Sequence, residues 1–192
     1  MPRRAALACL ACLGCSGTPQ LPGDQMMGAY AFNAELLEAA CEIPEVSGPD
    51  FSFQASFSRD SATGAAWFSL NRVLRDAAFD GQVLSTTYEA PRSFGEVCGG
   101  CTTTLQESVW VAILSQSQNE AAGDGCPEAA LDGGIPAGPG ITPPGSVSTG
   151  FDAVRACGEL LDVVSATALE GQECDVRCGR CALRYRLAGA RR

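Results

Sequence analysis

The sequence predicts an all-β domain, an antiparallel meander closed as a small barrel, with a β-sandwich as the alternative, stapled by disulfides. Three features carry that prediction. The segment "FSFQASFS", residues 51–58, places Phe51, Phe53, Ala55 and Phe57 on one face and Ser52, Gln54, Ser56 and Ser58 on the other. That is the strict period of two of a half-buried strand. Short apolar segments recur between turn residues, which favours consecutive strands joined by hairpins. The body also carries an even set of cysteines, as a disulfide framework requires: Cys41, Cys98, Cys101, Cys126, Cys157, Cys174, Cys178 and Cys181.

In chain order, "AYAFNAELLEAAC" (29–41) brings Tyr30, Phe32, Ala34 and Leu36 into line as a strand, while Glu35 and Glu38 keep a helix open. "AAWFSLNRVL" (65–74) groups Ala66, Phe68, Leu70 and Leu74, interrupted by Arg72. Asp80-Gly81 is a hairpin signal, and "QVLSTTY" follows it as a strand. Leu105 to Leu114 is apolar on both faces and needs cover on both, which ranks a barrel ahead of a sandwich. "FDAVRACGELLDVV" (151–164) suits a helix or a strand, and Gly158 weakens both. "CALRYRLAG" (181–189) alternates Cys181, Leu183, Tyr185 and Leu187 against Arg184 and Arg186. Roughly six strands have clear signals.

Residues 118–150 read as a long loop. Its last 32 residues hold eight Gly and five Pro, which excludes a sheet interior, and Cys126 ties down its first part. Asp124, Glu128 and Asp132 are spaced four apart but lack the ligand order of a calcium loop.

At the N-terminus, Pro2, Arg3 and Arg4 precede ten small or apolar residues, Ala5 to Gly14, an n-region followed by an h-region. Ten residues fall short of the roughly 20 that a helix needs to cross a bilayer. Cys9, Cys12 and Cys15 have the spacing of a ferredoxin ligand run, but Pro19 occupies the fourth ligand position. The run "CLGCSG", with Leu13, Gly14 and Cys15, resembles instead the lipobox of bacterial lipoprotein precursors. The resemblance implies cleavage before Cys15, fatty acyl chains such as palmitate on the Cys15 thiol and its new amino group, and lipid anchoring in the cell envelope, at the outer membrane. Cys12 stands where the family prefers Leu and is the alternative modified residue. The organisation that follows is a signal peptide at 1–14, a lipidated cysteine and tether at 15–24, and a single β domain at 25–192.

All 13 basic residues are Arg, and there is neither Lys nor His. Without Arg3 and Arg4, 11 Arg face 22 acidic residues, a balance of −11. Nucleic-acid binding needs the opposite sign, and anionic headgroups repel such a body, so membrane attachment is left to the acyl chains on Cys15. In an oxidising compartment the eight body cysteines read as disulfides. The alternatives are a zinc site built from Cys98-Gly-Gly-Cys101 and the Cys174, Cys178, Cys181 group, or a redox dithiol at Cys98 and Cys101. The wide gap between the two groups disfavours zinc, and the strand-like "TTTLQESVWVAIL" after Cys101 disfavours the dithiol, which needs a helix there.

Without His or Lys, Ser-His and Cys-His pairs, Schiff bases and Ser-Lys dyads are excluded. A carboxylate pair of glycosidase type remains open. Glu107 is the one acidic residue inside an otherwise apolar strand, where burial would raise its pKa; its plainer role is an ion pair with an Arg such as Arg72. The aromatic set Tyr30, Phe32, Phe51, Phe53, Phe57, Phe68 and Trp110 lines a pocket or fills the core. The expected role is therefore a membrane-anchored envelope lipoprotein, with no catalytic residue, cofactor or metal ligand assigned. The alternatives are a binding module using the barrel interior or loop 118–150, and a carboxylate-based hydrolase.

Overall fold

A computed structural model of the protein describes residues 21–40, 43, 49–70, 72–94, 98–123, 126, 153–179 and 181–192. Cys15, Cys41 and most of loop 118–150 lie outside the described residues. Eight strands follow one another: β1 (Gln25–Ala40), β2 (Phe51–Arg59), β3 (Ala66–Leu70), β4 (Val73–Phe79), β5 (Val83–Pro91), β6 (Cys101–Ser115), β7 (Ala153–Ala168) and β8 (Cys181–Arg191). A short helix α1 (Gln116–Ala121) follows β6, and a 3-10 turn (Val176–Cys178) precedes β8. Every strand is antiparallel to its neighbours, and β8 returns to β1 to close the barrel. The meander is thus a barrel and not the alternative sandwich.

Two strands had no clear signal in the sequence. The segment read through from Ala66 to Leu74 is a hairpin, in which Leu70 pairs with Val73 across the two-residue connection 71–72. Arg72 adopts φ 69° there, the left-handed conformation that two-residue hairpin turns require but that is uncommon outside Gly and Asn. From Ala153 onward the ambiguous segment 151–164 is part of β7, a 16-residue strand. Its Gly158 is a packing requirement, since a Cβ there would lie 1.8 Å from the Trp110 carbonyl oxygen on β6. The Asp80-Gly81 turn forms as its residues indicate. The Asp80 carboxylate accepts from the Gln82 and Val83 amides at 2.9 and 2.7 Å, and Gly81 takes φ 106°.

The period-two segments turn their apolar faces inward. Phe57 stacks on Tyr30 and Phe68 with ring centroids 5.2 and 5.4 Å apart. Phe32 lies against Gly189, where a Cβ would come within 2.5 Å of its ring. These side chains, with Met27, Val111, Ile113 and Leu187, fill one half of the interior. Trp110, placed by the sequence reading in the aromatic set, instead points outward and is 42% exposed, because Val109 and Val111 beside it take the inward positions. Asn33, Gln54, Gln106, Glu159 and Arg184 also lie on the outer face, and Arg184 grips Glu159 with two hydrogen bonds of 2.9 and 2.7 Å. An apolar inside and a polar outside reverse the pattern of a membrane-spanning barrel. Among the described residues no helix is long and apolar enough to cross a membrane.

The two-sided apolar character of β6 has a local cause. Its outward residues Ala112 and Leu114 are buried with Cys157 under Cys126, which is bonded to Cys157. Residues 116–121, partly read as loop, form α1, capped by Ser115 and Gln118 in a reciprocal box. Near the start of the described chain, the Asp24 carboxylate accepts from the Ser61 amide at 2.7 Å, so the residue just before β1 is held on the β2–β3 turn.

The barrel wall is uneven, because β1, β6 and β7 run 15 or 16 residues whereas β3 and β4 run 5 and 7. On the tall side, Cys98–Cys178 and Cys101–Cys174 join the β5–β6 connection to the β7–β8 connection. Cys181 is also disulfide-bonded, and Ile43, Phe94 and Val164 pack with Cys98, Cys178 and Cys181 as a second core. In the chain-entropy account a loop of this size stabilises by about 4–5 kcal/mol. The second bond then closes a ring of two short links, so its own contribution is smaller.

Peptide mapping without reduction should recover Cys98–Cys178, Cys101–Cys174 and Cys126–Cys157 as linked pairs; free thiols with stoichiometric zinc would contradict this. Gly158→Ala should lower stability by about 3 kcal/mol, the upper end of the usual cost of overpacking, measured by denaturant titration. Gly64→Ala, where nothing lies within 4 Å of the added Cβ, should cost less.

Candidate functional site

The polar side chains of the interior gather where the short and tall walls meet. Strand register aligns Tyr88 with Glu107 and Glu107 with Asp162 across β5, β6 and β7. Partners directly opposite share a face with Cβ atoms about 4.5–5.5 Å apart, so both carboxyl groups point inward from adjacent positions. Arg75, beside Phe68 on the short wall, reaches over the neighbouring β5. Its guanidinium is bonded to the Glu107 carboxylate, and the two side chains are 8% and 15% exposed. It also lies 4.4 Å from the centre of the Tyr88 ring, a cation–π distance.

Glu107 therefore has an arginine partner, but it is Arg75 and not Arg72, whose turn position leaves it exposed. The carboxyl that the fold perturbs is Asp162, to which the sequence reading gave no role. Burial, then the charge of Glu107, pushes its pKa up to about 7, against a smaller opposing effect of Arg75. Asp162 Oδ1 is buried without a hydrogen-bond partner, as is Arg75 Nε. Tyr185 faces the same space from β8, and burial, followed by the charges of Asp162 and Asp50, raises its pKa as well. The signal for Asp162 was of the same kind as that for Glu107, one acid in the apolar run "LLDVV". With helix and strand both open for that segment, its direction could not be assigned.

Beside these groups lies a cavity of about 240 Å³, lined by Phe51, Ser52, Phe53, Leu70, Glu107, Val109, Leu160 and Asp162. Its lining residue Phe51 is 39% exposed, and Val73 and Tyr88, the register partners of its Leu70 and Glu107, are 45% and 38% exposed, which gives it an apolar rim. Of the aromatic set, Phe51 and Phe53 line the cavity, while Tyr30, Phe32, Phe57 and Phe68 belong to the packed core. A second hollow of about 300 Å³ lies between β4 and β5, lined by Asp76, Ala77, Ala78, Ser85, Thr86, Thr87 and Trp110. Those strands pair only at Ala78–Ser85 and Phe79–Leu84. It is larger, but it lies against outward-facing Trp110, and Asp76 is the one charged residue in its lining. The interior cavity is the stronger candidate, since it joins apolar walls to convergent polar groups. Among the described residues no cluster of His, Cys, Asp or Glu suits a metal ion.

The raised pKa of Asp162 sets the sign of a stability effect. Below about pH 4 the group is protonated in both the folded and unfolded states and contributes nothing. Between about 4 and 7 only the folded state keeps the proton, so stability falls as pH rises, and above about 7 the loss is complete. A shift of this size corresponds to about 2–4 kcal/mol. Asp162→Asn should therefore match the wild type near pH 4 and exceed its stability by about 2–4 kcal/mol at pH 8, by denaturant titration at both values. A difference independent of pH would show that Asp162 ionises freely in the fold.

No protein-family model, no curated protein and no solved structure matches the chain.

Proposed function

We propose that the protein is a lipid-anchored lipoprotein of the bacterial envelope whose barrel binds a small molecule. One observation carries the binding part: a cavity with apolar walls in which an unpartnered carboxyl group sits beside a buried ion pair. Burying a polar group without a partner costs about 1–3 kcal/mol, and a ligand can supply the missing bond. The cavity, about 240 Å³, lies just below the roughly 300–1,000 Å³ of ordinary ligand pockets, which suits a small organic molecule. The anchoring part rests on the lipobox-like run ending at Cys15, and the polar outer face of the barrel suits a domain carried by its acyl chains.

A second reading, a carboxylate-based hydrolase, draws on the placement of Glu107 and Asp162 side by side in different environments, the pattern of an acid and a nucleophile. Against it, the Arg75 contact occupies the carboxylate that would attack. Binding is the better-supported role.

Wild-type protein expressed in a Gram-negative host should partition with membranes, and Cys15→Ser should appear in the aqueous fraction at undiminished thermal stability. Wild type recovered in the aqueous fraction would overturn the anchor. If Cys15→Ser stayed with membranes and Cys12→Ser were released, the modified residue would be Cys12.

A further inference from the structure

We propose that the ligand of the interior cavity is a small amphiphilic amine, bound as its ammonium cation at the Asp162 and Glu107 carboxyl groups with its apolar body against Phe51, Phe53 and Leu70. The inference rests on the binding role proposed above and names the chemistry of its ligand.

Charge balance points first to a cation. Two carboxyl groups and one guanidinium converge on the cavity, so ionising Asp162 leaves the group one positive charge short. An ammonium ion supplies that charge, whereas a carboxylate or phosphate ligand would add to the excess.

Hydrogen bonding points the same way. Asp162 Oδ1 lacks a donor, and an ammonium group offers only donors.

The walls recognise a cation with an apolar body. Phe51 and Phe53 lie with ring centroids 5.8 Å apart, and Tyr185 meets Phe51 edge-on at 5.0 Å. Ring faces attract cations at such sites, as the guanidinium of Arg75 over Tyr88 already illustrates. The exposed apolar rim gives the rest of the ligand a surface to cross and cover. At longer range, the acidic excess of the chain, formally −9, draws cations and repels anions.

Among the described residues, the charged and titratable groups around Asp162 are Glu107 from β6, Arg75 from β4 and Tyr185 from β8, with Tyr88 of β5 against Arg75. β2 contributes Phe51, Ser52 and Phe53 to the cavity. Because Asp162 holds its proton up to about pH 7 in the free protein, an ammonium ligand must displace that proton below this pH. Its affinity therefore rises between pH 5 and pH 8.

The test uses benzylammonium, benzyl alcohol and benzoate, which share one ring and differ in head group, titrated calorimetrically into the purified, disulfide-bonded protein. At pH 8, benzylammonium should bind at least tenfold more tightly than benzyl alcohol, and benzoate should not bind. Lowering the pH to 5 should weaken benzylammonium at least tenfold and leave benzyl alcohol unchanged. Asp162→Asn, folded by circular dichroism, should lose both the ammonium preference and the pH dependence while still binding the alcohol. Equal binding of alcohol and ammonium, preference for benzoate, or an ammonium preference that survives Asp162→Asn would overturn the amine and leave the cavity a binding site. Failure of all three probes would overturn the binding role together with the amine.

Discussion

Pairing between the first and last strands is the constraint on which the rest of the structure depends. β1 and β8 run together from Tyr30–Arg191 to Ala40–Ala182, with a bulge between Leu36 and Glu38, and that contact turns a sheet with two open edges into a tube with none. An eight-stranded tube is just wide enough for side chains to fill it. Every residue on the inner face must then find its partners among other inner-face residues. The aromatic half of the interior does so by packing. The polar half does so by placing Arg75 between Tyr88 and Glu107, which leaves Asp162 next to an already satisfied carboxylate. The perturbed acid is a result of closure, because on an open sheet the same side chain would be hydrated.

The uneven wall decides where that polar layer lies. With β3 and β4 short, the upper parts of β6 and β7 have no opposite wall to pack against. Burial there comes instead from the Cys98, Cys178 and Cys181 cluster with Ile43, Phe94 and Val164. Two cores result, one aromatic and one disulfide-bonded, and the charged residues occupy the gap between them. The cysteines thus act as replacement core as well as cross-links, in keeping with how deeply cysteine is generally buried in proteins.

Much of the fold was legible where a local rule governs it. Phe51 to Phe57 and Tyr30 to Ala34 display their faces through alternation alone, and Asp80-Gly81 declares its turn through the backbone conformations that glycine permits. Elements settled by distant partners were harder to read. Arg72 enters the left-handed region because the strands on either side must meet, which its residue type does not advertise. Gly158 weakens β7 by propensity yet is required by the Trp110 carbonyl, 48 residues earlier in the chain. Half the candidate site was visible, since Glu107 stood out in its strand. Its arginine and its neighbouring acid depend on β4 and β7, the two strands with the weakest signals. The pairing of Cys98 and Cys101 with Cys178 and Cys174 likewise depends on two connections that meet only once the β6–β7 ladder has aligned Cys101 with Ala168.

Seven of the eight junctions around the barrel are backbone ladders of five or more residue pairs, but β4 and β5 meet at two. Beyond Ala78–Ser85 what crosses this junction is made of side chains: Thr86 Oγ1 donating to the Asp76 carbonyl at 2.7 Å, and Arg75 reaching to Tyr88 and Glu107. The guanidinium is therefore a rivet as well as a counter-ion. Salt screens a pair this buried only weakly, but the ionisation of Asp162 beside it, which leaves a backbone ladder nearly untouched, acts directly on such a fastening. The mechanical closure of the barrel and the electrostatic state of its cavity are consequently one variable, and a ligand that changes the charge around Arg75 also changes how firmly the wall is shut.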